Sequence, residues 1–446
     1  MHIVMMTNTY KPILGGLEKS VEVFSEEYRK RGHKVLIVAP EFENSPKKEK
    51  DVFRLPAIKN IGDSEFSIEM GISLDLHKAL KRFKPDIIHT HHPFLIGDTA
   101  LRAAAEYNVP LVFTNHTLYE QNTHYLPGGN SVAMKEFVVR LAQGYADLCD
   151  QVIAPSESVA NLLKERGVKT PIEVLPTGIY IDQFKKGDGV TFRKFFDIPK
   201  NAFVVGIIGR MAEEKNVPFL LKAVIAFLKK NKHAYFVVVG GGPLLENINS
   251  SFEKNKLGSR LICTGVLKGK QLISAYDALD VFAFSSHSET QGLVLVEAMA
   301  AGTPVVGVDA PGVREVIEDK KNGRIIEKDN VQKFAQALSW IAKQSIQERA
   351  ALKRNARKTA EEFSVSICVK KALKLYSLAI KRQRKECDLD KSSWKRNLRL
   401  LKAQAELMVN TTKASVAAVS GIPETTALRA VKMVKKGFKE LIHKGR

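Results

Sequence analysis

The sequence predicts an α/β protein of two Rossmann-like, doubly wound parallel-sheet domains facing across a cleft, followed by a basic helical tail. Three observations carry this expectation. An apolar strand, a glycine loop, an amphipathic helix and a second strand open the chain; the same order returns near Phe203; and from Lys381 onward the pattern offers helices without strands.

Taken in order, Met1 to Met6 reads as a buried strand, Gly15-Gly16 as a loop, and Leu17, Val21, Phe24 and Tyr28 fall at helical spacing before Gly32. Lys34 to Ala39 is a second strand, so the opening is a βαβ unit, the building block of a doubly wound sheet. Ile87-Ile88, Leu111-Val112-Phe113, Val152-Ile153-Ala154 and Glu173-Val174-Leu175 extend that sheet. Turn formers and charge interrupt the apolar pattern from Pro176-Thr177-Gly178 to Gly187-Asp188-Gly189, the best place for a hinge. The second half starts at Phe203 to Ile208, turns at Gly209-Arg210, and continues through a helix with Phe219, Leu220, Ala223 and Phe227 to a strand at Tyr235 to Val239. Arg260 to Cys263, Val281 to Phe284 and Pro304 to Val308 complete its strands. The expected domains are therefore 1–182 and 183–364, with a helix at about 365–380 crossing back to the first, and a tail, 381–446, that is an appendage.

A chain of 446 residues with 44% hydrophobic content can give two or three domains a core each, which excludes a disordered, collagen-like or disulfide-stapled protein. Apolar runs such as Val281-Phe282-Ala283-Phe284 stop far short of the ~18 residues needed to span a bilayer. Met1 to Met6 lacks the charged opening of a signal peptide and runs into Thr7-Asn8-Thr9. Cys149, Cys263, Cys368 and Cys387 lie far apart, as expected of reduced thiols in a cytosolic protein. With 69 basic and 48 acidic residues the chain carries +21, a charge that invites anionic partners. Residues 381–446 hold 17 of the basic and 6 of the acidic residues, so about half the excess sits in the tail.

The chemistry-bearing residues cluster at strand ends. Gly15-Gly16 opens a helix, where amides and the positive helix end can face an anion; a structural tight turn is the alternative. Arg210 and Lys215 follow a strand and suit a diphosphate, unless both pair with Glu213 or Glu214 in water. Glu289 and Glu297 are separated by seven residues, and Glu297 falls on an apolar helical face where a carboxylate needs partners. Vicinal hydroxyls of a sugar or ribose are suitable ones; backbone amides or Arg314 are the alternative. His89-Thr90-His91-His92-Pro93 and Thr114-Asn115-His116 end neighbouring strands, with Tyr119, His124 and Tyr125 just beyond. Contact with a polar substrate leads there over metal, because no Asp, Cys or Glu stands at ligand spacing.

Together these motifs resemble the family 4 retaining glycosyltransferases of the GT-B fold over about residues 1 to 380. The likeness rests on Gly15-Gly16, the His89 to Pro93 string, Gly209-Arg210 with Lys215, Gly240-Gly241-Gly242-Pro243 and the Glu289/Glu297 pair. It implies an N-terminal acceptor domain and a C-terminal nucleotide-sugar donor domain. Arg210 and Lys215 would hold the donor diphosphate, Glu297 the ribose, Glu289 the transferred sugar; Gly16 would approach the phosphate and His91 would stand beside the reacting sugar. His116, Tyr119, His124 and Tyr125 would contact the acceptor. No nucleophile, cofactor or divalent metal is implied, and Asp388-Leu389-Asp390 in the basic tail reads as solvated.

Asn115-His116-Thr117-Leu118-Tyr119, Pro176-Thr177-Gly178-Ile179 and Ser288-Glu289-Thr290-Gln291-Gly292 are similar to the branch that glucosylates diacylglycerol, and Thr177 stands where many members carry Asn. That implies glucose from UDP-glucose moved to the 3-hydroxyl of 1,2-diacylglycerol with an α-linkage. Another donor sugar with a soluble or cell-envelope acceptor is the alternative, and a binding scaffold with a partner-recruiting tail a third. Keeping both glutamates with Arg210 and Lys215 argues against the last.

In the tail, Leu428, Val431, Val434, Phe438, Leu441 and Ile442 recur at helical steps, with Arg429, Lys432, Lys435, Lys436 and Lys439 on the remaining face. This is the pattern of an interfacial helix on an anionic membrane, which predicts a cytoplasmic protein peripheral on the inner face of the cell membrane. A helix packed on the protein body is the alternative. Nucleic acid is not expected as a partner: Trp394 and Phe438 are the tail's only aromatics, and no binding module is recognisable.

Overall fold

The computed structural model describes residues 1–387, except 14, 43, 47–48, 59–67, 70–73, 122, 124–130 and 288, together with 402–403, 405–411 and 413–414. Two compact units emerge: Met1–Leu175 with Val369–Arg446, and Pro176–Cys368.

The first unit contains, in chain order, β1 (His2–Met6), α1 (Gly16–Lys30), β2 (Lys34–Pro40), β3 (Val52–Leu55), β4 (Ala57–Ile58), β5 (Ile68–Glu69), α2 (Leu74–Phe83), β6 (Ile87–Thr90), α3 (Ile96–Tyr107), β7 (Leu111–Thr114), α4 (Val132–Ala146), β8 (Gln151–Ala154), α5 (Glu157–Glu165) and β9 (Ile172–Val174). Seven of the strands form one sheet in the order β3-β2-β1-β6-β7-β8-β9, every pair parallel; β4 and β5 make a small antiparallel pair. Central strands covered by helices on both faces cannot alternate polar with apolar, so they read as unbroken apolar runs. Ile3, Val4, Met5 and Met6 accordingly have no exposed surface.

The second unit contains α6 (Ile181–Phe184), α7 (Gly189–Phe195), β10 (Phe203–Ile208), α8 (Val217–Lys230), β11 (Ala234–Val239), α9 (Leu245–Lys254), β12 (Leu261–Gly265), α10 (Gly269–Asp277), β13 (Val281–Phe284), α11 (Leu293–Ala301), β14 (Val305–Val308), β15 (Gly323–Ile326), α12 (Val331–Ala342) and α13 (Ile346–Glu362). Its parallel sheet runs β12-β11-β10-β13-β14-β15, with one apolar core on each face. Helix starts follow local chemistry: Ser345 and Glu348 form a reciprocal capping box at the start of α13, each side chain accepting from the other's backbone amide.

In each sheet the strand order reverses at one point, between β1 and β6 and between β10 and β13. Ligands of open α/β sheets bind outside the carboxyl ends of the strands at that reversal, because the two connections leave in opposite directions and open a crevice.

A long helix, α14 (Val365–Cys387), carries the chain back into the first unit, where the Tyr28 hydroxyl lies 3.3 Å from that of the fully buried Tyr376. Described residues of the tail pack on the first unit. Ala403 and Leu407 belong to the apolar core of the first unit, and the Asn410 side-chain Nδ2 donates to the Leu141 carbonyl at 3.0 Å. Asn410 occupies the space beside Gly144 that any larger residue would fill, so α4 has a notch that the tail enters. The proposed interfacial residues Arg429, Lys432, Lys435, Lys436, Phe438 and Lys439 lie outside the described residues.

Candidate functional site

At the reversal of the first sheet, β1 ends at Met6 and β6 at Thr90, so Thr7, Asn8, His91 and His92 share one carboxyl end. The His91 amide donates to the Met6 carbonyl at 2.9 Å, and the Asn8 amide donates to His92 Nδ1 at 3.1 Å. The Asn8 side chain then bridges the loop to the start of α3, donating to the Phe94 carbonyl and accepting from the Ile96 amide, both at 3.1 Å.

The imidazoles form a stack. His89 and His91 lie 4.2 Å apart between ring centroids, and His91 stacks on His116 at 5.1 Å with their facing nitrogens, Nδ1 and Nε2, 2.8 Å apart. Burial pushes His89 down to about 3 and holds His91, His92 and His116 well below their ordinary value, so all four are neutral at pH 7. His89 is locked at both ring nitrogens, Nδ1 by the Tyr376 hydroxyl at 2.5 Å and Nε2 by the Thr114 hydroxyl at 2.7 Å. His91 is not: its Nε2 is buried and has no hydrogen-bond partner among the described residues. One ring nitrogen of a neutral His91 already engages His116, so the other is left as an unfilled polar position at a ligand crevice.

Tyr119 packs edge-on against Phe94 at 5.0 Å, and its hydroxyl is likewise buried and without a partner among the described residues. It lines a small cavity together with Asn115, Thr117, Gln143 and Arg166. His124 and Tyr125 lie outside the described residues. Gly16 begins α1; its φ is not left-handed and an added Cβ would meet no atom within 4 Å. Neither backbone angle nor packing among the described residues demands glycine there.

At the reversal of the second sheet, β10 ends before Gly209-Arg210 and β13 before Ser285. The glycine triplet fixes this corner through its backbone. Gly240 has φ 134° and its missing side chain leaves room for the Gly209 carbonyl; Gly242, with φ 147°, packs on the Met211 backbone. The Met211 amide donates to the Gly241 carbonyl at 2.8 Å, so the chain beside Arg210 is held while its side chain stays exposed. The Arg210 guanidinium makes no hydrogen bond or ion pair with any described residue.

Lys215 pairs with Glu289 rather than with Glu213 or Glu214. Two hydroxyls tie their loops together: Ser285 donates to the Lys215 carbonyl at 2.8 Å and Ser286 to the Glu214 carbonyl at 3.1 Å. Beside them, Asp329 accepts from Asn216 at 2.8 Å and lies 2.9 Å from His287 Nε2. Gln291, 8% exposed, holds the Thr177 backbone from both sides, accepting from its amide at 2.7 Å and donating to its carbonyl at 2.8 Å. Arg210, Lys215 and Glu289 thus belong to one corner, whereas Glu297 sits further along α11 and accepts a 2.8 Å hydrogen bond from the Tyr276 hydroxyl. Arg314, an expected partner of Glu297, pairs with Asp309 at 2.9 Å instead. Sequence reading passed over Tyr276, Gln291 and the serine ties. Ser285-Ser286 directly after a buried strand was the signal available for the ties.

Among the described residues no group of three His, Cys, Asp or Glu is placed to hold a metal ion, and no helix is long and apolar enough to cross a membrane.

Residues 14–183 match the sequence family described as Glycosyltransferase Family 4, and residues 190–359 the one described as Glycosyl transferases group 1. The alpha-monoglucosyldiacylglycerol synthase of Streptococcus pneumoniae is 31% identical over 73% of this chain and 75% of its own length. That of Acholeplasma laidlawii is 26% identical over 84% and 96%. Among solved structures, Anabaena HepE in complex with UDP is similar in fold, with TM-score 0.66, 20% identity, and coverage of 84% of this chain and 100% of that one.

Proposed function

From its membership of glycosyltransferase family 4, to which this chain belongs, we propose that it moves glucose from UDP-glucose to the 3-hydroxyl of 1,2-diacylglycerol, giving an α-linked membrane glycolipid. The observation that carries the transferase chemistry is the second sheet's corner, where Lys215 pairs with Glu289 and an exposed Arg210, without a partner among the described residues, follows the end of β10. Breaking a sugar–phosphate bond builds negative charge on the departing nucleotide and positive charge on the sugar. Fixed cations stabilise the first without waiting for solvent to reorganise.

In this reading Arg210 and Lys215 take the diphosphate, Lys215 exchanging Glu289 for a phosphate oxygen. Glu289, so released, accepts hydroxyls of the transferred sugar, and Glu297 accepts those of the ribose. By family likeness, Gly16 is assigned a backbone contact to the phosphate and His91 a role beside the reacting sugar. His116, Tyr119, His124 and Tyr125 are assigned to the acceptor; the Tyr119 hydroxyl, without a partner among the described residues, supports a polar group there. The two cations take the role that a divalent ion has in other transferases, so none is assigned. Attack on the same face as departure retains configuration, and no side chain is assigned as nucleophile.

The relatives' names support the acceptor, and the UDP in the fold neighbour supports the base. The basic tail, from its sequence pattern, holds the enzyme on the anionic cytoplasmic face of the cell membrane. The test is transfer of labelled glucose from UDP-glucose to vesicles containing diacylglycerol, with the anomer of the product determined. Transfer to soluble acceptors but never to diacylglycerol overturns the proposal.

A further inference from the structure

Tyr276 has no exposed surface, yet its hydroxyl reaches from α10 to the half-buried Glu297 on α11. Its ring is held between Phe184 and Phe282, at 5.8 and 6.0 Å between centroids. The last turn of the helix carrying it is pinned. The Asp188 amide donates to the Ser274 hydroxyl at 3.0 Å, the Gly189 amide to the Asp277 carboxylate at 2.8 Å, and the Thr303 hydroxyl to the Tyr276 carbonyl at 2.8 Å. The phenol is therefore a rigid stem with one polar atom at its tip, and that atom is spent on a carboxylate.

A glutamate side chain has several free torsions, and ordering such a chain costs it rotamer freedom. A ligand that must order the carboxylate bears this cost at binding, whereas a carboxylate already held by a charge-assisted hydrogen bond presents its lone pairs in place. We propose that Tyr276 is a positioning residue for nucleoside recognition: its hydroxyl aims the Glu297 carboxylate so that the two ribose hydroxyls of the donor meet fixed acceptors. This deepens the ribose role given to Glu297 above and rests on it. A tyrosine hydroxyl merely satisfying itself in a core would be served by any acceptor, and its removal would weaken every ligand of the unit alike.

The test is calorimetric binding of UDP, GDP and ADP, each beside its 2′-deoxy and 3′-deoxy form, to the wild-type chain and to Tyr276→Phe, Glu297→Gln and Glu297→Asp. The wild type is expected to favour the ribose form of whichever nucleotide binds by roughly ten- to a hundredfold, the worth of hydrogen bonds to a charged group. Tyr276→Phe loses most of that preference and binds the deoxy forms as the wild type does. Glu297→Asp withdraws the carboxylate from the phenol without touching the core, does the same, and carries the test if Tyr276→Phe does not fold. Equal weakening of ribose and deoxy forms, or full ribose preference in Tyr276→Phe, overturns the inference. Full ribose preference in Glu297→Gln overturns the ribose reading itself, and absence of binding by all three nucleotides overturns both.

Discussion

Removing the Lys215 ammonium isolates one charge. The backbone on either side stays tied when the side chain is truncated, because Ser285 donates to the carbonyls of Lys215 and Asn216 at 2.8 and 3.2 Å and Ser286 to that of Glu214. A unit charge ~4 Å from a phosphate oxygen is worth about 4 kcal/mol at the effective dielectric of a site near a surface. The Lys215 side chain is 30% exposed, so roughly half of that survives solvent screening. About 2 kcal/mol of barrier corresponds to a loss of about thirtyfold. Lys215→Ala is therefore expected to lower kcat/KM for glucosyl transfer to diacylglycerol vesicles by about thirtyfold, with its unfolding temperature little changed. A loss below threefold in a folded variant would refute the assignment of this cation to the departing nucleotide.

The buried histidines make a prediction about acid. His89 takes a proton near pH 6.5 when unfolded but only near 3 when folded, so the stability present above pH 6.5 is lost as pH falls toward 3. Its share is about 1.4 kcal/mol per pH unit; urea unfolding from pH 6.5 to 4.5 should show a slope that His89→Gln flattens by about one proton, and an unaltered slope counts against the neutral assignment. Gly144→Ala pushes a methyl into Asn410 and should cost roughly 1–3 kcal/mol while exposing residues 402–414 to hydrogen exchange. Unchanged protection of that segment would contradict the docking described for it. Deleting residues 424–446 should weaken sedimentation with anionic vesicles most and leave nucleotide binding nearly intact; equal sedimentation of the truncated chain would dismiss the membrane reading.

The central strands were readable in the sequence because two-sided burial writes an uninterrupted apolar run, as in Val281–Phe284 and Leu111–Thr114. β3 and β15 were missed for the converse reason. Each is a sheet edge, covered less completely, and each carries an arginine, Arg54 and Arg324, in four residues. The corner residues were legible because they follow strand ends at short range: Arg210 and Lys215 after β10, Glu289 after β13. Long-range pairings left no local trace. Tyr276 meets Glu297 across 21 positions, Gln291 meets Thr177 across 114, and Asn410 meets Leu141 across 269. Arg314, four residues nearer to Glu297 than Tyr276 is, was the plausible neighbour by distance in sequence, but Asp309 on its own loop captures it.

The return of α14 into the first unit has a consequence for how the protein is made. The second unit, Pro176–Cys368, is one continuous stretch and can close as soon as it leaves the ribosome, whereas the first lacks Tyr376, Ala403 and Leu407 until those later residues have followed it. Nascent chains ordinarily mature from the amino end. Here the half synthesised first is completed last, and a truncated message would yield a finished carboxyl-proximal body joined to an amino-terminal one with a hole in its interior.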